Sequence, residues 1–163
     1  MKEQLKIALR KASNQGLIAL LPILVSFLFL TSARADFNGN LTINVAGVKN
    51  QSGKICASLF SGSQGFPSDS EKAVKSECIK ITENPQKLTF KNLKPGNYAI
   101  ALIHDANEDG MMNTNSFGIP IEGFGFSNNP TILTGPPKFN QAAVFVAGSN
   151  TDIEIKLQYL LGR

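Results

Sequence analysis

The 163-residue chain has no tryptophan, one histidine and two cysteines. Each shortage removes a class of chemistry. Without tryptophan, the core must be built from aliphatic side chains and phenylalanine. With His104 as the sole imidazole, a His/Cys transition-metal cluster cannot be assembled. The cysteines are not spaced C-x-x-C, which argues against a redox pair of that type. No G-x-S-x-G elbow and no glycine-rich phosphate loop is present. Charge is also scarce, at 17% of residues. Residues 1–35 hold five Lys and Arg against one acidic residue, so eleven of each sign remain for the rest. A domain with no net charge lacks the electrostatic footing for a nucleic-acid partner.

What is present begins with an export pattern. Residues 1–15 are polar and basic, residues 16–30 form an apolar run, and Ala33-Arg34-Ala35 has the small-x-small form of a signal-peptidase site. Fifteen apolar residues fall short of the roughly 20 that a membrane span needs. The expectation is a signal peptide over residues 1–35 and a soluble β-sandwich domain over residues 36–163, periplasmic or extracellular. No later apolar run approaches spanning length, so no membrane contact is expected beyond the signal peptide.

From residue 36 the pattern has period two. Leu41, Ile43 and Val45 alternate with Thr42 and Asn44. Similar runs at 54–61, 77–82, 87–91, 97–104, 142–147 and 152–159 give about seven short strands and no long helix. This predicts an all-β fold: a single two-sheet antiparallel β-sandwich, immunoglobulin-like or transthyretin-like, with one long ordered loop. Cys56 and Cys78 both fall out of phase with the aliphatic positions of their strands. If those strands pair, the two meet on the less apolar face, and an oxidising compartment makes a disulfide the expectation.

Residues 105–138 break the pattern. They are rich in Gly, Pro and Asn and carry Phe117, Phe124 and Phe126. A loop this long inside a compact domain is usually functional or disordered, and its aromatics argue for order. Asp105, Asn107 and Asp109 followed by Gly110 match the opening of a calcium loop. Asn113 stands at the ninth position, and Glu122 could arrive from later in the loop. The twelfth position is Ser116, not the usual Glu. Calcium is therefore the one cofactor to consider, held weakly by Asp105, Asn107, Asp109, Asn113 and Glu122. The alternative is a turn whose Asx side chains bond their own backbone. His104 reads as a strand-end residue bonded to loop backbone.

A longer set of residues carries a resemblance. His104-Asp105-x-Asn107, Gly118-Ile119-Pro120-x-Glu122-Gly123-Phe124-Gly125-Phe126-Ser127-Asn128-Asn129 and Gly135-Pro136-Pro137-x-Phe139 are similar to the bacterial family called Domain of Unknown Function 2141. Leu93-x-Pro95-Gly96-x-Tyr98-Ala99 fits as well. The resemblance spans roughly residues 40–159. It implies an exported bacterial β-sandwich protein without an assigned activity, and it offers no catalytic residues. The family often carries an acidic residue where this chain has Asn113, which weakens the calcium set.

Three functions compete. The first is a secreted binding module, with Phe124, Phe126, Asn128 and Asn129 in the long loop contacting an unknown protein or glycan of the cell envelope. Burial of both rings would instead make them a plug of the core. The second is a purely structural envelope protein without a ligand. The third, an enzyme, has no motif to support it, and the chain is expected not to be one.

Overall fold

Alternation of apolar and polar residues is realised as eight strands in the computed structural model, which describes residues 38–133 and 135–161. The proposed signal peptide lies outside the described residues. Residues 36–163 form a compact unit by themselves. The strands are β1 (Gly39–Ala46), β2 (Lys54–Phe60), β3 (Lys75–Lys80), β4 (Gln86–Leu93), β5 (Gly96–Asp105), β6 (Gly123–Phe126), β7 (Val144–Val146) and β8 (Asn150–Lys156). One helical turn, α1 (Phe139–Ala142), and a 3-10 turn at Ser70–Lys72 complete the set.

Two sheets result. The smaller has the order β4-β1-β8, and the larger has β3-β2-β5-β6, with β7 continuing the β6 edge along the start of β5. Pairing is antiparallel except between β1 and β8, which run parallel in register from Asn40↔Asn150 to Ala46↔Lys156. That pair departs from the all-antiparallel expectation. The last strand docks beside the first in the same direction, a relation that side-chain alternation does not encode.

The period of two sets which face is buried. Leu41, Ile43 and Val45 of β1 meet Ile55, Ala57 and Leu59 of β2 and Ile100 and Leu102 of β5 in the inter-sheet core, with Leu88 and Phe90 of β4. All of these are almost wholly removed from solvent. The opposite face of β5 is buried too. Ala99 and Ala101 pack with Phe60, Phe124, Phe126 and Ala142, and Phe66 and Phe139 close over them. Phe66 stands edge-on to Phe60 at 5.4 Å between centroids and to Phe139 at 6.1 Å. Edge-to-face geometry of this kind adds to the burial of the rings. Small side chains on β5 and large rings on its neighbours explain why a sheet face that would otherwise be wet is covered by loops.

Cys56 and Cys78 lie directly opposite each other on β2 and β3, with Cα atoms 4.0 Å apart, and are joined by a disulfide. Ser58 and Ser76 pair on the same outward face, Oγ to Oγ at 3.1 Å. The bridge thus ties edge strand β3 to the sheet. Closure of a loop with a separation of 22 residues contributes roughly 3 kcal/mol in the chain-entropy model.

Candidate functional site

Strand β6 was not evident from the sequence, because its Gly-Phe-Gly-Phe pattern lacks β-branched residues. The structure explains both halves of it. Gly125 pairs with Leu102 and faces inward. A Cβ there would lie 2.8 Å from Ile155 Cγ2 and 3.2 Å from the Lys156 carbonyl oxygen. A Cβ on Gly123 would run into the Tyr159 ring. The glycines let the chain beyond β8 approach until Phe124 and Gln158 exchange backbone hydrogen bonds of 3.0 and 2.7 Å. The two sheets are joined along that edge. Phe124 and Phe126 point the other way and are 6% and 8% exposed. They plug the outer aromatic cluster, which corrects the expectation that they anchor a ligand.

Asn128 and Asn129 are likewise placed by structural duties. Both adopt left-handed backbone, with φ of 64° and 44°, a region Asn enters more readily than most residues. Asn128 Nδ2 donates to the Gln141 carbonyl at 3.0 Å. Asn129 Nδ2 donates to the Glu154 carbonyl at 2.9 Å, and its Oδ1 accepts from Lys156 N–H at 2.9 Å. Between these elements, Ser127 is fully buried. Its hydroxyl donates to the Ala142 carbonyl and accepts from Ile100 N–H.

The five residues read as calcium ligands do come together in the loop after β5. Their carboxylate oxygens accept N–H donors of that loop. Buried Asp105 accepts from Asp109 N–H at 3.1 Å and Gly110 N–H at 2.9 Å, one on each oxygen. Buried Glu122 accepts from Ala106 N–H at 2.9 Å and Asn113 N–H at 3.0 Å. Asp109 accepts from Met111 N–H and from the side-chain amides of Asn107 and Asn113, each at 2.9 Å. Those three donors, Asn113 first, hold the Asp109 carboxyl below its ordinary value. No group of three or more His, Cys, Asp or Glu side chains among the described residues is arranged to hold a metal ion. The residues form a hydrogen-bonded frame in which all three carboxylates accept N–H donors. The Asx-turn alternative describes what is seen.

Glu108, between the frame residues, reaches back to Lys54 at the start of β2, Oε2 to Nζ at 2.6 Å. The pairing lowers the Glu108 carboxyl and raises the Lys54 ammonium from their ordinary values. Both partners are partly open to water, so the pair orients the loop more than it stabilises the fold.

His104 is buried, with Nε2 2.8 Å from the Ser52 carbonyl oxygen and Nδ1 2.8 Å from the Tyr159 hydroxyl. A carbonyl only accepts, so Nε2 carries the proton and, in the neutral ring, Nδ1 accepts from the tyrosine. The hydroxyl in turn accepts from Lys49 N–H at 3.3 Å. Burial pushes the Tyr159 phenol up, partly offset by that N–H. Asp105, the adjacent carboxylate, is already committed to the loop backbone. The imidazole is a tie between the 49–53 turn, β5 and the C-terminal segment.

Beyond the frame the loop turns back on itself. Thr114 and Pro120 form a β-bridge, and Ile121 N–H donates to the Asn113 carbonyl at 3.0 Å. At the apex, Asn115 N–H donates to the Ile119 carbonyl at 2.9 Å and Gly118 N–H to the Asn115 carbonyl at 2.9 Å. Asn115 Oδ1 accepts from Phe117 N–H at 2.9 Å and Ile119 N–H at 3.0 Å. Phe117 sits on this fixed turn and is 86% exposed. Phe117 lies in the loop of residues 105–138, where composition alone does not distinguish it from Phe124 and Phe126. The signal available was Asn115 two residues before an aromatic and three before Gly118, an Asx turn that holds the aromatic outside.

A family model described as "Uncharacterized protein conserved in bacteria (DUF2141)" matches residues 43–154. The match runs from the middle of β1 into β8 and includes the frame, the apex and β6. No curated protein matches, and no solved structure matches.

Proposed function

We propose, for a chain that belongs to the DUF2141 family of uncharacterized bacterial proteins, that the domain is an exported binding module without catalytic activity. Its contact element is the hairpin of residues 113–121. The observation that carries this reading is Phe117, an exposed aromatic on a turn held by backbone and side-chain hydrogen bonds. A ring kept out of the core by its own backbone loses little freedom on binding, and aromatic residues dominate binding energy at interfaces. The buried carboxylates Asp105 and Glu122 serve as the frame that holds the hairpin on the end of the sandwich. On this reading the loop needs no cation, and the partner is a component of the cell envelope.

Retention of the purified 36–163 domain on total cell-envelope material tests the proposal. Phe117→Ser should keep the melting temperature within about 2 °C, since the ring is outside the core, and should reduce retention about tenfold. Equal retention of wild type and variant would refute it.

A further inference from the structure

Exposed apolar side chains are concentrated at one end of the domain. Of the nine large hydrophobic residues exposed among the described residues, Met111, Phe117, Ile119 and Ile121 belong to the single loop after β5. Leu160 and Leu161 are also exposed and follow Tyr159, which is tied to Lys49 and His104 at that same end. The register fixes which end this is. Asp105 at the close of β5 pairs with Lys54 at the start of β2, and Leu157 N–H bonds the Ala46 carbonyl at the close of β1. Gly39, where β1 begins, is therefore at the opposite pole.

We infer that this pole docks on a lipid surface, with Phe117, Ile119 and Ile121 entering the boundary between headgroups and acyl chains. The inference rests on the hairpin being the contact element. Three observations select lipid over a protein partner of this chain's own kind. Residues 111–121 contain no ionisable side chain, so nothing in the hairpin has to be desolvated as a charge. The apex of the hairpin is exposed at residues 116–119, and a narrow tip offers little surface for self-association. A stable protein interface needs about 800 Å² per partner, and one ring of roughly 150–250 Å² with a few aliphatic neighbours falls short of it. A bilayer needs no shape complementarity, and aromatic side chains favour its interface. This departs from the expectation of no membrane contact beyond the leader, because pattern alone could not place Phe117 at an exposed apex.

The absence of tryptophan makes the test direct. Phe117→Trp in the 36–163 domain places a single indole at the apex. Added vesicles of phosphatidylcholine, and of phosphatidylcholine with one third phosphatidylglycerol, should each shift its emission to the blue. Wild-type domain should co-float with both vesicle types, with apparent affinities within about threefold of each other. Phe117→Ser with Ile119→Ser should lower co-flotation at least tenfold at unchanged melting temperature. No shift and no co-flotation, or co-flotation unaffected by the double variant, would each overturn the lipid assignment, and a strict need for anionic lipid would overturn insertion by the uncharged hairpin. Retention on delipidated envelope material, lost in Phe117→Ser, would keep the binding-module reading while removing lipid as its partner.

Discussion

Asn129 stands against β8 as a stand-in for a peptide group: its amide accepts from Lys156 N–H and donates to the Glu154 carbonyl, both at 2.9 Å. The side chain thereby satisfies backbone groups that an edge strand would leave open. Asn129→Ala removes both bonds and leaves an alanine at φ 44°. A loss of about 2–3 kcal/mol is expected, from two hydrogen bonds and an unfavourable left-handed residue. Urea denaturation of the domain measures it, and a change within 0.5 kcal/mol, roughly the scale of ordinary surface substitutions, would contradict the edge-capping role.

Glu122→Gln tests the frame. The carboxylate accepts one N–H on each oxygen, whereas the amide can accept on one side only and must turn a donor toward the other N–H. The expected penalty is about 1–3 kcal/mol, localised to the loop. Hydrogen exchange should accelerate at the Ala106 and Asn113 amides while the β1 and β5 amides keep their protection.

Acid should loosen the same loop. The Asp109 and Glu108 carboxyls are lowered in the folded state, so the stability they add is present above their unfolded values of about 4. It is lost as pH falls through the folded values. Amide exchange at Met111, whose N–H bonds Asp109, should therefore show less protection near pH 3 than near pH 6, after correction for intrinsic rates. Salt should weaken the Lys54–Glu108 contribution at neutral pH and leave the buried Asp105 bonds in place.

Calcium provides a fourth test. Because the Asp105, Asp109 and Glu122 oxygens already accept N–H donors, millimolar calcium and excess chelator should give melting temperatures within about 1 °C of each other. A rise of several degrees with calcium would mean that the frame reopens around a cation.

Strands whose inner and outer residues alternate cleanly, such as β1 with Leu41, Ile43 and Val45, were legible from the sequence, as was the Cys56–Cys78 bridge across two out-of-phase positions. β6 was not, because glycine stands at positions 123 and 125 and the reason lies far downstream in Tyr159 and Ile155. Sequence separation also hid the roles of Phe124 and Phe126, whose partners Phe60, Phe66 and Phe139 come from β2, a loop and α1. In the calcium-like stretch, spacing correctly indicated that Asp105, Asn107 and Asp109 gather in one turn. It could not tell whether their oxygens meet a cation or backbone N–H groups, since both readings use the same residues. Exposure of Phe117 is not legible from composition, because aromatic content signals burial by default and only the Asn115 turn reverses that default.

The parallel pairing of β1 with β8 has a consequence for the order in which the polypeptide can complete itself. β1 lies between β4 and β8, so its second neighbour is not made until residues 150–156 have been added. Until then one side of β1 stays without a ladder, and His104 lacks the hydroxyl of Tyr159. A chain lacking β8 and Tyr159 would thus carry an unsealed seam along β1, and the smaller sheet closes only once residues 150–159 have joined it.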